Sequence, residues 1–167
     1  SANENATLYP DWAINTYTVT FVTWNGSTLK TQTVNHGSSA TAPADPTRDG
    51  YTFAGWDKAF TNVTSNLTVN ATFTPNTYTV TLNANGGTIV SGNVTQYTVG
   101  TGATLPTNVT KTGHTFAGWY ANEDLSGSPV SVIGAGEYGN KAYWAKWTVN
   151  TYPVTLQTNG GTINRGN

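Results

Sequence analysis

Along much of this chain apolar and polar residues alternate with a period of two. Tyr17, Val19 and Phe21 are separated by Thr18 and Thr20, giving one apolar face and one hydroxyl face. That spacing is the mark of a half-buried strand. Asn25-Gly26 follows as a type I′ turn signal, and residues 29–34 supply a return strand. Pro43 and Pro46 break the ladder and carry a crossover. Residues 51–56 give a third strand and 67–73 a fourth, in which Val69, Ala71 and Phe73 share a face. The scheme then restarts at Tyr78 and closes with Tyr143, Ala145 and Trp147. The glycine-bearing stretch 126–140 leaves room for a helical turn around 131–136. The expected fold class is therefore mainly β, α+β at most.

The restart is a repeat, and a period of tens of residues decides architecture. Asn15-Thr16-Tyr17-Thr18-Val19-Thr20-Phe21 returns 61 residues on as Asn76-Thr77-Tyr78-Thr79-Val80-Thr81-Leu82, and 74 further on as Asn150-Thr151-Tyr152-Pro153-Val154-Thr155-Leu156. Gly50-Tyr51-Thr52-Phe53-Ala54-Gly55-Trp56 returns 63 on as Gly113-His114-Thr115-Phe116-Ala117-Gly118-Trp119. Trp12, Phe73 and Trp147 each stand three residues before the next Asn-Thr-Tyr. The unequal offsets place two extra residues after the first strand of the second unit and eleven after Trp119. The reading is a last strand of a preceding repeat at 1–14, module 1 at 15–75, module 2 at 76–149 with an insertion at about 120–140, and the opening of a further repeat at 150–167. No Pro- or Ser-rich linker divides the modules, so an elongated array is expected. The stubs, Leu8 to Trp12 and Tyr152 to Leu156, are expected to dock on adjacent units or neighbouring molecules.

Composition narrows the partners. Of 167 residues 33 are Thr and 19 are Asn, and only 9% are charged, with seven Lys+Arg against eight Asp+Glu. So few cations argue against neutralising phosphates, hence against nucleic acid and anionic membrane. No apolar run is long enough for membrane insertion. Cys is absent, which removes disulfides, thiol nucleophiles and cysteinyl zinc.

The blocks Tyr-Thr-Val-Thr-Leu-Asn-Ala-Asn-Gly-Gly-Thr (78–88), Gly-Ala-Thr-Leu-Pro (102–106), Gly-His-Thr-Phe-Ala-Gly-Trp-Tyr (113–120) and Tyr-Trp-Ala-Lys-Trp (143–147) resemble the Listeria–Bacteroides repeat, the B repeat of internalin-type bacterial surface proteins. Asn159-Gly160-Gly161-Thr162 follows the same pattern. The first module departs from it, with Val22-Thr23-Trp24-Asn25-Gly26 in place of Asn-Gly-Gly and Phe73 in place of the closing Trp. The resemblance implies ubiquitin-like β-grasp modules in extracellular proteins of the bacterial, Gram-positive surface, cell-wall anchored or secreted. It implies no catalysis and no cofactor. It implies a stalk or spacer of an adhesin, partnered by adjacent repeats of the chain and by surface proteins or glycans of a host or neighbouring cell.

Candidate chemistry weighs little against this. His114 takes the slot of Tyr51 and His36 that of Val99, so neither imidazole serves a shared function. No acid is common to the two modules, and the spaced acidic pattern of a calcium loop is missing. Lys30, Lys58, Lys111, Lys141 and Lys146 lie in polar or turn contexts, unlike the buried Lys of an isopeptide cross-link. No catalytic, metal or cofactor residue is therefore assigned. Aromatics that recur, Tyr17, Phe53, Trp56, Tyr78, Phe116, Trp119 and Trp147, read as each module's structural signature. Aromatics peculiar to one module, Trp24, Tyr120 and Trp144, are the candidate interaction surface. The alternative to a spacer is a carbohydrate- or receptor-binding module that uses them.

Overall fold

The computed structural model describes residues 8–162; the parts of the two expected stubs at 1–7 and 163–167 lie outside the described residues. The chain divides into two compact units between Asn76 and Thr77. Described residues are all-β, with no helix among them.

In unit 1, β1 (Thr16–Val22), β2 (Thr28–Asn35), β3 (Tyr51–Trp56) and β4 (Leu67–Pro75) form one sheet in the order β2-β1-β4-β3. The outer pairs are antiparallel, while β1 and β4 run parallel, Val19 opposite Leu67 through Val22 opposite Asn70. A parallel neighbour cannot be reached by a tight turn, so the chain must cross over, and residues 36–66 do so while contributing β3. The alternating face becomes the core: Val19, Phe21 and Val69 are fully buried, with Val34, Ala40 and Val63 beside them.

In unit 2, β5 (Thr77–Asn83), β7 (Gln96–Thr98), β10 (His114–Tyr120) and β12 (Lys141–Val149) rebuild the same sheet, order β7-β5-β12-β10, again with a parallel centre. Two short pairs are added. β6 (Thr88–Ile89) joins β9 (Val109–Thr110), and β8 (Ala103–Thr104) joins β11 (Val132–Ile133). The core is larger here, with Trp119, Leu105, Ile133, Tyr97 and Tyr143 almost wholly buried.

Two expectations are corrected. At Asn25-Gly26 only the glycine has positive φ (82°), whereas a type I′ turn requires both central residues there. Gly26 N–H donates to Thr23 O at 2.9 Å and Thr23 N–H to Ser27 O. This is a type I turn closed by a glycine bulge, and the register slips beside it between Phe21 and Val22. The helical turn around 131–136 is replaced by β11, because pairing with β8 satisfies that backbone across the unit. The described parts of the stubs form no strand, and Leu8, Trp12, Tyr152, Val154 and Leu156 are exposed in the single chain. A strand is made by its neighbour, and no described segment pairs with them.

Candidate functional site

The three aromatics peculiar to one module part company in the structure. Tyr120 is only 7% exposed and so is not a surface residue, contrary to expectation. It ends β10 directly opposite Trp144 on β12, and the Lys146 ammonium lies 4.9 Å from its ring centre. Trp144 is half-buried beside it. Trp24 alone stands out, 53% exposed on the loop joining β1 to β2.

Trp24 is not isolated. The Arg48 guanidinium lies 4.7 Å from its ring centre and 3.7 Å from that of Tyr51. Tyr51 opens β3, and Arg48 bridges back to it, Tyr51 N–H donating to Arg48 O at 3.0 Å. A surface loop and the entry of an edge strand thus converge on one cation. Sequence reasoning singled out Trp24 and missed Arg48. The available signal was the recurrence of a cation at the same place, Lys111, two residues before Gly113 as Arg48 stands before Gly50.

The recurring aromatics sit in or against the two cores. Phe53 and Phe116 meet Trp56 and Trp119 edge-on at 5.4 and 5.5 Å, and Tyr17, Tyr78 and Trp147 pack on the buried residues. Trp119 Nε1–H donates to Pro106 O at 2.7 Å, and Trp147 Nε1–H to Ala84 O at 2.8 Å.

Two further recurring residues escaped the sequence reading. Thr18 N–H donates to Asn66 Oδ1 at 2.9 Å, and Thr79 N–H to Asn140 Oδ1 at 3.1 Å, each beside the start of a parallel ladder. Asn76 and Asn150 close their units alike. Their N–H groups donate to Gly50 O and Gly113 O, while their Oδ1 atoms accept from Thr52 and Thr115 hydroxyls at 2.7 Å. The Asn of the second and third Asn-Thr-Tyr blocks is therefore a clamp, legible as a repeated residue but not as a role.

Elsewhere the chemistry is quiet. A cleft of about 330 Å³ in unit 2 is lined by Ala121, Val130, Asn140, Ala142, Tyr143 and the Glu137–Lys141 pair. Those two charges meet at 2.7 Å. Lys141 holds the Glu137 carboxyl below its usual value, and Glu137 raises Lys141. Burial pushes the Tyr97 and Tyr143 phenols up. His36 Nδ1 lies 3.4 Å from Tyr17 Oη and His114 Nδ1 2.8 Å from Thr112 O. No group of three His, Cys, Asp or Glu that could hold a metal occurs among the described residues. Lys30, Lys58 and Lys111 donate to backbone carbonyls.

The fold and its duplicated contacts define a tandem all-β repeat protein, in which recurring residues build sheet and core. The family model of the Listeria-Bacteroides repeat domain matches residues 17–77 and again 78–133, and the chain belongs to that family. A putative Gly-rich membrane protein of Evansella cellulosilytica is 35% identical over 95% of this chain, and a second putative membrane protein of that organism is 35% identical over 93%. Internalin H of Listeria monocytogenes is 40% identical over 44%. The chain spans only 19%, 24% and 15% of those three proteins.

Proposed function

We propose that the chain is a non-catalytic, load-bearing spacer: β-grasp-like modules in an elongated stalk of an extracellular adhesin-type protein, anchored to or secreted from a Gram-positive surface. The sheet order with a parallel central pair supports the β-grasp reading, with a loop crossover where ubiquitin-like folds carry a helix. Relatives named as membrane proteins and as an internalin support the surface reading.

The observation that carries the mechanism is the direction of β1 and β4. Tension reaches unit 1 at the start of β1 and leaves it at the end of β4. The two strands are parallel neighbours, so their ends are pulled in opposite directions along one ladder. The bonds linking 19–22 to 67–70 then bear load together, in shear, instead of opening one by one as in a peeled hairpin. Unit 2 repeats the arrangement, Lys141 to Trp144 against Val80 to Asn83. Asn76 alone separates β4 from β5, and it is clamped to Gly50 and Thr52. A distal domain would be held away from the cell by the number of units, and force on it would pass through these ladders.

Pulling the chain by its ends in a single-molecule force experiment tests this. Two discrete unfolding steps are expected, with Asn66→Ala and Asn140→Ala each weakening one of them. Smooth extension at low force, without steps, would overturn the load-bearing role.

A further inference from the structure

We propose that Trp24, Arg48 and Tyr51 form a binding site for an acidic saccharide, a glycan whose sugars carry carboxylates. The inference goes beyond the spacer role and concerns unit 1 alone.

Both aromatic rings lie within stacking distance of the guanidinium. Stacking engages a guanidinium through its faces and leaves its N–H donors, which lie in the ring-like plane, free to meet an acceptor. Among the described residues Arg48 forms no ion pair, and its guanidinium makes no hydrogen bond. A planar fork of donors, held still by its neighbours and left without an acceptor, is matched by a carboxylate that accepts two parallel bonds. Trp24 supplies the second element. One face of its indole carries Arg48, yet the residue is 53% exposed, which leaves apolar ring surface open. The C–H face of a pyranose fits such a ring, because its weakly positive hydrogens meet the negative π face. Around the rings the turn offers Thr23, Asn25 and Ser27, short polar groups suited to hydroxyls.

Charge favours a sparse acid over a dense polyanion. With seven Lys+Arg against eight Asp+Glu, the chain lacks the positive field that draws in sulfated polymers or nucleic acid. Recognition here is local, one guanidinium to one carboxylate. Unit 2 does not duplicate the site. Its corresponding cation, Lys111, donates to Asn85 O at 2.7 Å, and His114 stands at the place of Tyr51.

Amide and indole NMR titration of the whole chain with tri-galacturonate, its fully methyl-esterified form and tri-glutamate tests the proposal. Tri-galacturonate is expected to shift the Trp24 indole and the amides of 23–27 and 48–51, leaving unit 2 unmoved. Arg48→Lys keeps the charge but loses the fork, so binding should weaken about tenfold, and the neutral ester should bind more weakly by a similar factor. Trp24→Ala should abolish the response with circular dichroism unchanged. Absent shifts at these positions, equal affinity for the ester or undiminished binding by Arg48→Lys would overturn the site. Tighter binding of tri-glutamate would also overturn it, by assigning the patch to a peptide.

Discussion

Units 1 and 2 share a hydrogen-bond framework and differ in what fills and covers it. Both have the parallel central ladder, the Asn66 or Asn140 side chain beside it, the closing Asn76 or Asn150, and a bulge at Gly55 or Gly118. Unit 1 packs residues 36–50 and 57–66 on its sheet, through Ala40, Phe60 and Val63, tied down by Ala40 N–H to Phe60 O and Gly37 N–H to Val63 O. Unit 2 uses its longer insertion. Val130 N–H donates to Trp119 O, Leu105 N–H to Ser131 O, and the Tyr97 hydroxyl to Gly139 O. Pro129 lies so close to Gly118 that a Cβ there would stand 2.7 Å from it, while the same position at Gly55 is open. Both copies keep the ladder bonds and the recurring core aromatics; the segments that cover the sheet are where they differ most.

The largest expected effect separates the equivalent tryptophans. Trp119 is 2% exposed and its N–H is bonded to Pro106 O. Trp119→Ala should cost about 3–5 kcal/mol through lost burial and the cavity left behind. A unit this small holds only about 3–5 kcal/mol, so the change should unfold unit 2 outright. Trp56 is half-buried, touching Phe21 and Phe53 edge-on, so Trp56→Ala should cost roughly half as much. Hydrogen exchange read separately on β1 and β5 amides checks both. Equal losses would mean that the insertion adds no burial of consequence.

How much of this was legible can be argued from single positions. Tyr17, Val19 and Phe21 announced their face because period-two patterning follows from the pleat alone. The third strand, read at 51–56 and repeated 63 residues on, formed at those residues. Asn25-Gly26 was a sound turn signal, but whether one or both residues take positive φ depends on the loop length that packing selects. β11 was invisible because two-residue strands carry no periodicity and exist only through their partner. Tyr120 was misplaced because alternation says which face a residue occupies, not what neighbours cover that face. Arg48 was overlooked because its link to Trp24 joins a loop and a strand entry that only the fold brings together.

The second prediction concerns the two departures of unit 1 from the family pattern, which the structure shows to be one. A Cβ on Gly87 would stand 2.3 Å from the Trp147 ring and 3.0 Å from Thr110 O. The ring lies over the glycine while its N–H reaches Ala84 O. Unit 1 lacks both partners, having Phe73 and the Thr23–Gly26 turn instead. Gly87→Ala should therefore destabilise unit 2 by about 1–3 kcal/mol through overpacking. Trp147→Phe should cost about 1–3 kcal/mol, through the smaller buried ring and one lost hydrogen bond to Ala84 O, which keeps its bond from Gly87 N–H. Together they should cost less than their sum, since the smaller ring makes room for the methyl. Strict additivity in denaturant melts would sever the link between the two motif positions.

The smallest effect is electrostatic and differs in place between the units. Unit 1 has Asp57, whose carboxyl is held below its usual value first by the Asn70 side chain and also by the Asn70 N–H, at 2.6 and 2.7 Å. Unit 2 has Glu137, lowered by Lys141 and then by the Gly134 N–H at 2.9 Å. A carboxyl with a depressed folded value contributes stability that is complete above its ordinary value. That contribution fades as pH falls toward and through the depressed one. Both groups are substantially exposed, so each is worth under about 1 kcal/mol. The Asn70 and Gly134 amides should each report the loss by NMR on acidification. Asp57→Asn should silence only the first and Glu137→Gln only the second, because each amide donates to its own acid. Were one substitution to flatten both titrations, the amides would be sensing a shared unfolding step and not their own carboxylates.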